Sequence, residues 1–299
     1  MTSPDEPGVL PAIAHGRERF LELVGAIRPE LHRYCARMTG TVFDGEDVVQ
    51  ETLAKAHYAL GEMEDMPALR PWLFRIAHNT AMDFLRRYER KNVDIVAEVP
   101  EAPRDDDAGP DPALVEAALE VFVALPPAQR SALVLKDVLG QSLEETAATM
   151  GTTVSAVKSA LVRGRATVAR RAQPAPRPAI SEAERRKVER YADLFNARDW
   201  DGLRALMGEE SRLDLVSRWQ RGGAGAARYF TRYAEVADDE RLRAVAGTLD
   251  GAAVIAVFAA GAREPSYFIR VEWAGDRVGL IRDFRYVPYI STSARFVPG

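Results

Sequence analysis

Apolar residues recur at three- and four-residue spacing from about Arg17 to Lys91, as in Leu21, Val24, Leu31 and Tyr34 and again in Val48, Leu53, Ala56 and Leu60. That period lines one face of successive α-helices and predicts a helical bundle over residues 10–95. The pattern breaks at PEAPRDDDAGPDP (100–112), where four prolines, a glycine and an acidic run cannot bury enough apolar surface to order themselves. Residues 96–112 therefore read as a linker. Helical periodicity resumes from Ala113, giving a second helical unit over 113–173, and PAPRP (174–178) opens a stiffer spacer that ends near residue 180.

From Ser181 the pattern changes character. A helix opens with the capping-box pair Ser181 and Glu184, a second short helix follows near Asp201 to Met207, SRLDLVSRW (211–219) alternates like a strand, and RGGAGAARYF leads into another helix. Three further strand candidates follow, including the apolar runs AAVIAVFAA (252–260) and YFIRVEW (267–273). Helices followed by strands predict an α+β domain over 181–299, so the chain is expected to be multi-domain, with two all-α units ahead of it.

The stretch QSLEETAATMGTTVSAVKSALVRGRATVARR (141–171) has helix-turn-helix spacing. Ser142 and Glu145 form a capping box, Ala147 is small enough for a second helix to cross closely, and Gly151 suits the left-handed turn. Thr152 or Thr153 caps the next helix, on which Val154, Val157 and Leu161 share a buried face. Ser155, Lys158, Ser159 and Val162 then point elsewhere, so Thr153, Ser155, Lys158 and Ser159 are the groove-facing candidates. Residues 152–171 carry Lys158, Arg163, Arg165, Arg170 and Arg171 with no acid. This cationic stripe fits phosphate attraction; a solvated bundle helix explains the charges alone but not their coincidence with caps, small residue and turn glycine.

Composition narrows the picture. A length of 299 residues suits two or three domains of about 150. The net charge of −4 excludes a uniformly basic coat on nucleic acid, so any DNA contact must be local. Cys35 is the single cysteine, and the four histidines (His15, His32, His57 and His78) lie in the first third, which argues against disulfides or structural metal. The longest apolar run, near Val254 to Ala262, is far short of a membrane span, and no signal-peptide layout opens the chain, so a cytoplasmic protein is expected.

FDGEDVVQETLAKAHYAL (43–60) with LRPWLFRIAHNTAMDFLRR (69–87) resembles region two of the extracytoplasmic-function group of the sigma-70 family, and LPPAQRSALVLKDVLGQSLEETAATMGTTVSAVKSALVRGRA (125–166) resembles its region four. The resemblance implies a non-enzymatic transcription initiation factor, without cofactor, whose partners are core RNA polymerase and promoter DNA. Region two would clamp the largest polymerase subunit and open the downstream promoter element, region four would sit on the upstream element, and the linker between them would run through the polymerase cleft. Asp44, Glu46, Asp47, Gln50 and Glu51 are then the polymerase-binding candidates, on a helix whose acidic start also serves its dipole. Arg86, Arg87, Arg90 and Lys91 form a basic helix end for phosphates of the melted strand, or a solvated C-terminus favoured by its dipole. Trp72 and Phe74 read as core. Asp105, Asp106 and Asp107 could imitate a nucleic-acid backbone in the cleft. Family recognition helices often carry V-K-S-R, whereas Ala160 stands at the arginine position.

The last unit looks like a SnoaL-like member of the NTF2 superfamily, a cone of helices against a curved sheet. Such cones enclose a pocket, for which Asp214, Trp219, Tyr229, Tyr267, Trp273 and Asp283 are candidate linings. Relatives with such an extension use it for regulation, which implies docking on the sigma regions or on polymerase. Two other classes stay open: a ligand-gated helix-turn-helix regulator, and an enzyme limited to Asp–Tyr chemistry because no histidine follows His78.

Overall fold

The computed structural model describes residues 20, 22, 24–63, 67–89, 109–170, 180–216, 225–237 and 241–299. The chain divides into two compact units, 1–175 and 176–299.

The first unit is all helical. Helix α1 (Arg28–Thr39) begins with Pro29 and ends at Gly40, whose N–H bonds back to the Ala36 carbonyl. Helix α2 (Val42–Leu60) starts at once, capped by Thr41, which accepts from the Asp44 N–H at 3.0 Å. The two helices can approach this closely because Gly45 has no side chain: a Cβ there would lie 2.6 Å from the Ala36 backbone. Helix α3 (Leu69–Glu89) completes the first bundle. Two short helices, α4 (Pro112–Val115) and α5 (Leu119–Val123), lead into α6 (Pro127–Leu133), which runs into a π-helical turn at Val134–Val138. Helices α7 (Leu143–Met150) and α8 (Val154–Arg170) follow.

One continuous core serves all of these helices. Leu31, Tyr34, Met38, Val48, Leu73, Phe74 and Ala77 from the first three are buried together with Phe122, Leu133, Val134, Val157 and Leu161 from the later ones. Each such large side chain contributes about 1.5–3 kcal/mol on burial. Phe74 is fully buried, while Trp72 packs half-exposed on the rim.

The second unit sets helices against a mixed six-stranded sheet. Helices α9 (Glu182–Asn196) and α10 (Trp200–Ala205) precede β1 (Met207–Leu215), and α11 (Gly225–Val236) precedes β2 (Arg243–Leu249), β3 (Ala252–Phe258), β4 (Tyr267–Ala274) and β5 (Arg277–Asp283); α12 (Tyr289–Ser293) and β6 (Val297–Pro298) close the chain. The strand order is β1-β5-β4-β3-β2-β6, and β1 runs parallel to β5 while the other pairs are antiparallel. Val188, Tyr191, Ala192 and Phe195 of α9 bury against one sheet face. Phe296 packs against Phe258 and Phe268 near the C-terminus. Residues buried on both faces explain why β3 reads as a continuous apolar run rather than an alternating one. Strand β1 begins four residues before the alternating stretch that predicted it, and 217–219 lie outside the described residues. Among the described residues no helix is long and apolar enough to cross a membrane.

Candidate nucleic-acid interface

Local chemistry fixes the α7–α8 pair. The Ser142 hydroxyl accepts from the Glu145 N–H at 3.0 Å while the Glu145 carboxylate accepts from the Ser142 N–H at 2.8 Å, so two otherwise orphaned donors at the helix start are satisfied. Gly151 stops α7 at φ 63°, a conformation side chains resist. Thr153, not Thr152, then caps α8, accepting from the Ala156 N–H at 3.2 Å. Along α8, Val157, Ala160, Leu161 and Gly164 turn inward, and a Cβ on Gly164 would meet Leu133 Cδ1 at 2.8 Å, so α6 and α8 cross in near contact. Ser155, Lys158, Ser159 and Arg163 face outward on the opposite side with exposed Thr153 at its head. Ala160 is buried, so this position serves packing rather than the outward face.

Arg165 behaves differently from its basic neighbours. Its guanidinium grips the Asp137 carboxylate through two bonds, of 2.7 and 2.8 Å, and the two side chains are 12% and 4% exposed. A carboxylate so buried in the π turn needs a counter-charge, and Arg165 lies four residues after Leu161 on the inward face, where it supplies one. The structure therefore removes Arg165 from the outward stripe.

The basic end of α3 is only partly described. Arg86 is exposed and 3.5 Å from Asp83, Arg87 pairs with Glu51 at 3.3 Å, and Arg90 and Lys91 lie outside the described residues, as do Asp105, Asp106 and Asp107. The acidic start of α2 is divided between surface and interior. Glu46 is fully buried, held by Arg28 at 2.5 Å and by the Gln50 amide at 2.6 Å, which takes both Glu46 and Gln50 off the acidic edge because a carboxylate in the core demands such partners. Asp44 serves the cap with Thr41, and Asp47 and Glu51 stay half-exposed one helical turn apart. Hydrogen bonding from Lys55, then Arg87, holds the Glu51 carboxyl below the usual range.

In the second unit the sheet collects three of the candidate pocket residues. The buried Asp283 carboxylate accepts from the Tyr233 hydroxyl at 2.8 Å, the Tyr229 hydroxyl at 3.1 Å and the Arg285 N–H at 2.8 Å. Tyr233 and Tyr267 hydroxyls lie 3.0 Å apart, and the Arg285 guanidinium donates to Tyr267 at 3.0 Å while resting over both rings. Burial pushes the Asp283 carboxyl up, against the pull of these donors, and raises the tyrosine hydroxyls as well. Tyr233 and Arg285 had no signal in the alternating pattern beyond four-residue spacing from Tyr229 and two-residue spacing from Asp283. Asp214 does not join the cluster: it pairs across the strands with Arg282 at 3.2 Å, and neighbouring residues on a strand point to opposite faces. Trp219 lies outside the described residues. Trp273 is half-buried with Lys187 over its ring, and it lines a groove of about 850 Å³ with Arg212, Glu272 and Arg277 that contains none of Tyr229, Tyr267 or Asp283.

A helical bundle followed by a helix-turn-helix with a polar and cationic outward face is an architecture suited to binding DNA. Residues 23–91 match sigma-70 region 2 and residues 116–168 match sigma-70 region 4. The ECF RNA polymerase sigma factor SigM of Mycobacterium tuberculosis is 32% identical over 163 residues, covering 53% of this chain and 79% of SigM. SigG of the same organism is 32% identical over 228 residues, covering 65% of this chain; the chain spans about three-fifths, 61%, of the length of SigG. The crystal structure of the M. tuberculosis extracytoplasmic function sigma factor SigJ covers 90% of this chain and 98% of its own at 20% identity, but with a TM-score of 0.37 it adds nothing to the assignment. The chain belongs to the extracytoplasmic-function sigma factors of the sigma-70 family.

Proposed function

We propose that this protein is an alternative sigma factor that binds core RNA polymerase and directs it to specific promoters from the cytoplasm. The observation that carries the reading is the ordered pair of sigma regions, the second of which presents Ser155, Lys158, Ser159 and Arg163 on one open helix face. In this reading region two spans 10–95, the acidic linker 96–112 and region four 113–173. Asp47 and Glu51 engage polymerase, the α8 face reads the upstream element, and Arg86 and Arg87 with Arg90 and Lys91 track phosphates near the melted strand. Lys158 and Arg163 attract phosphate through charge, and Ser155 and Ser159 supply short hydrogen-bonding groups to base edges. Core polymerase loaded with the protein should capture a defined set of genomic fragments, and a Lys158→Ala, Arg163→Ala holoenzyme should hold them at least ten-fold more weakly. Capture of the same set at the same strength by both would remove α8 from promoter recognition.

Beyond residue 180 we infer a SnoaL-like, NTF2-type cone that regulates the sigma regions rather than catalysing a reaction. The Asp283 carboxylate supports this: with two tyrosine hydroxyls and a backbone N–H already bound, it is committed to the protein's own donors instead of facing a substrate. Deleting 181–299 should change transcription from the cognate promoter; equal transcript with and without it would remove the regulatory role.

A further inference from the structure

Strand β1 ends the sheet of the second unit, with β5 on one side of it and no strand on the other. A register shift between Met207 and Arg212 holds the start of β1 off β5, while Arg212 to Leu215 pair residue by residue with Leu280 to Asp283. The Val216 N–H donates to the Asp283 carbonyl of β5 at 3.0 Å. Successive residues of a strand turn their N–H and C=O groups to opposite sides, so Asp214 and Arg212 also bond toward β5. Leu213 and Leu215 then turn theirs outward along the open edge. Both leucines are half-buried, and among the described residues no hydrogen bond outside the sheet reaches their backbone groups.

A row of such groups is a template for another strand, and proteins commonly blunt it with charge. The charges of β1 are instead ordered so that they attract one kind of strand. Arg212 and Asp214 lie two residues apart and share a face. Arg212 is exposed and makes no ion pair or hydrogen bond among the described residues, whereas Asp214 holds Arg282 of β5 at 3.2 Å and leaves 23% of its side chain exposed. When two copies of one strand pair antiparallel about a two-fold axis, positions equally far on either side of the central residue face each other. With Leu213 at the axis, its outward N–H donates to the Leu213 carbonyl of the second copy and its carbonyl accepts in return. Each Arg212 then stands directly across from an Asp214, at the positions without backbone bonds, where Cα atoms come to about 4.5 Å and side chains are closest. A strand of one charge satisfies only one of these two residues; the chain's own β1 satisfies both.

We propose that β1 is a self-association edge, through which a second copy of this protein adds its own β1 antiparallel, centred on Leu213, so that one sheet continues into the next. The contact is the same patch on both copies, and it closes on itself as a dimer. It is built from the second unit alone and stands independently of the sigma reading.

Sedimentation equilibrium of the full chain over a range of concentrations tests this. The wild-type chain should pass from monomer to dimer as concentration rises, with no larger species. Arg212→Glu sets acid against acid at both paired positions and should raise the dimer dissociation constant at least about ten-fold. Leu213→Pro removes the N–H at the axis, on the side that bonds nothing within the sheet, and should weaken the dimer as strongly. Circular dichroism checks that each variant is folded; should the proline variant unfold, Arg212→Glu, an exposed position, decides the question. A wild-type chain that stays monomeric throughout overturns the proposal. So does a folded Arg212→Glu variant that dimerises as tightly as the wild type, since the association would then use another surface.

Discussion

Lys158 and Arg165 are both cations of α8, seven residues apart, and the structure points them opposite ways, Lys158 outward and Arg165 inward onto Asp137. Removing Arg165 leaves the Asp137 carboxylate buried without its bidentate partner, a loss of about 3–5 kcal/mol that chemical denaturation of Arg165→Ala should show. Lys158→Ala should lower promoter affinity and flatten its salt dependence. Composition grouped these cations because it registers charge and not direction. The signal that separates them is spacing, since Val157, Leu161 and Arg165 follow one another by fours along the inward face. Glu46 illustrates the same blindness among the acids, because the sequence of α2 does not say that Arg28 waits beneath it. His78 offers a pH test. Burial, then nearby Arg86, lowers its pKa from 6.5 to about 4, so the folded state resists protonation that the unfolded chain accepts. Stability is therefore full above pH 6.5 and falls as pH drops toward 4, by about 3 kcal/mol in all. His78→Gln should flatten that part of the pH profile measured by urea unfolding, and an unchanged slope would place the titration elsewhere.

Elements follow their local signals closely where the chemistry is contained within a few residues. Both capping boxes form as the Ser-x-x-Glu pattern predicts, and Ser142→Ala should cost about 1 kcal/mol of stability because the Glu145 N–H at the helix start loses its acceptor. Interhelical contact is less legible. Gly45 sits inside α2, where alanine ordinarily favours the helix by about 1 kcal/mol. Here an added Cβ would strike the Ala36 backbone at 2.6 Å, and backbone cannot swing aside. Gly45→Ala should thus destabilise by about 1–3 kcal/mol through overpacking, whereas Gly61→Ala, whose Cβ would meet only ordinary contact at 3.4 Å, should be neutral or better. Thermal unfolding of the two variants side by side checks the sign. In the sheet, β3 and β4 were visible as apolar runs, while β1, whose alternating residues 211–215 were visible, joins β5 by a parallel pairing that no local pattern encodes.

At the scale of the molecule, periodicity announced two helical regions and a final α+β unit, and said nothing of which apolar faces would meet. The same stripe of Leu31, Tyr34 and Met38 serves an isolated bundle or a joint equally well, so the shared core of the sigma regions had no sequence signature. The Asp283 cluster was half legible: Tyr229, Tyr267 and Asp283 stood out as residue types, but Tyr233 and Arg285, which complete the hydrogen-bond chain, stood out only by position. The central claim is that this chain gives polymerase its promoter choice, and run-off transcription addresses it directly. With bacterial core RNA polymerase on a genomic promoter library, transcripts from a defined set of promoters should appear only when the protein is added. An absence of such transcripts from the full chain and from a 1–172 truncation, under conditions where a control sigma factor supports transcription, would contradict it.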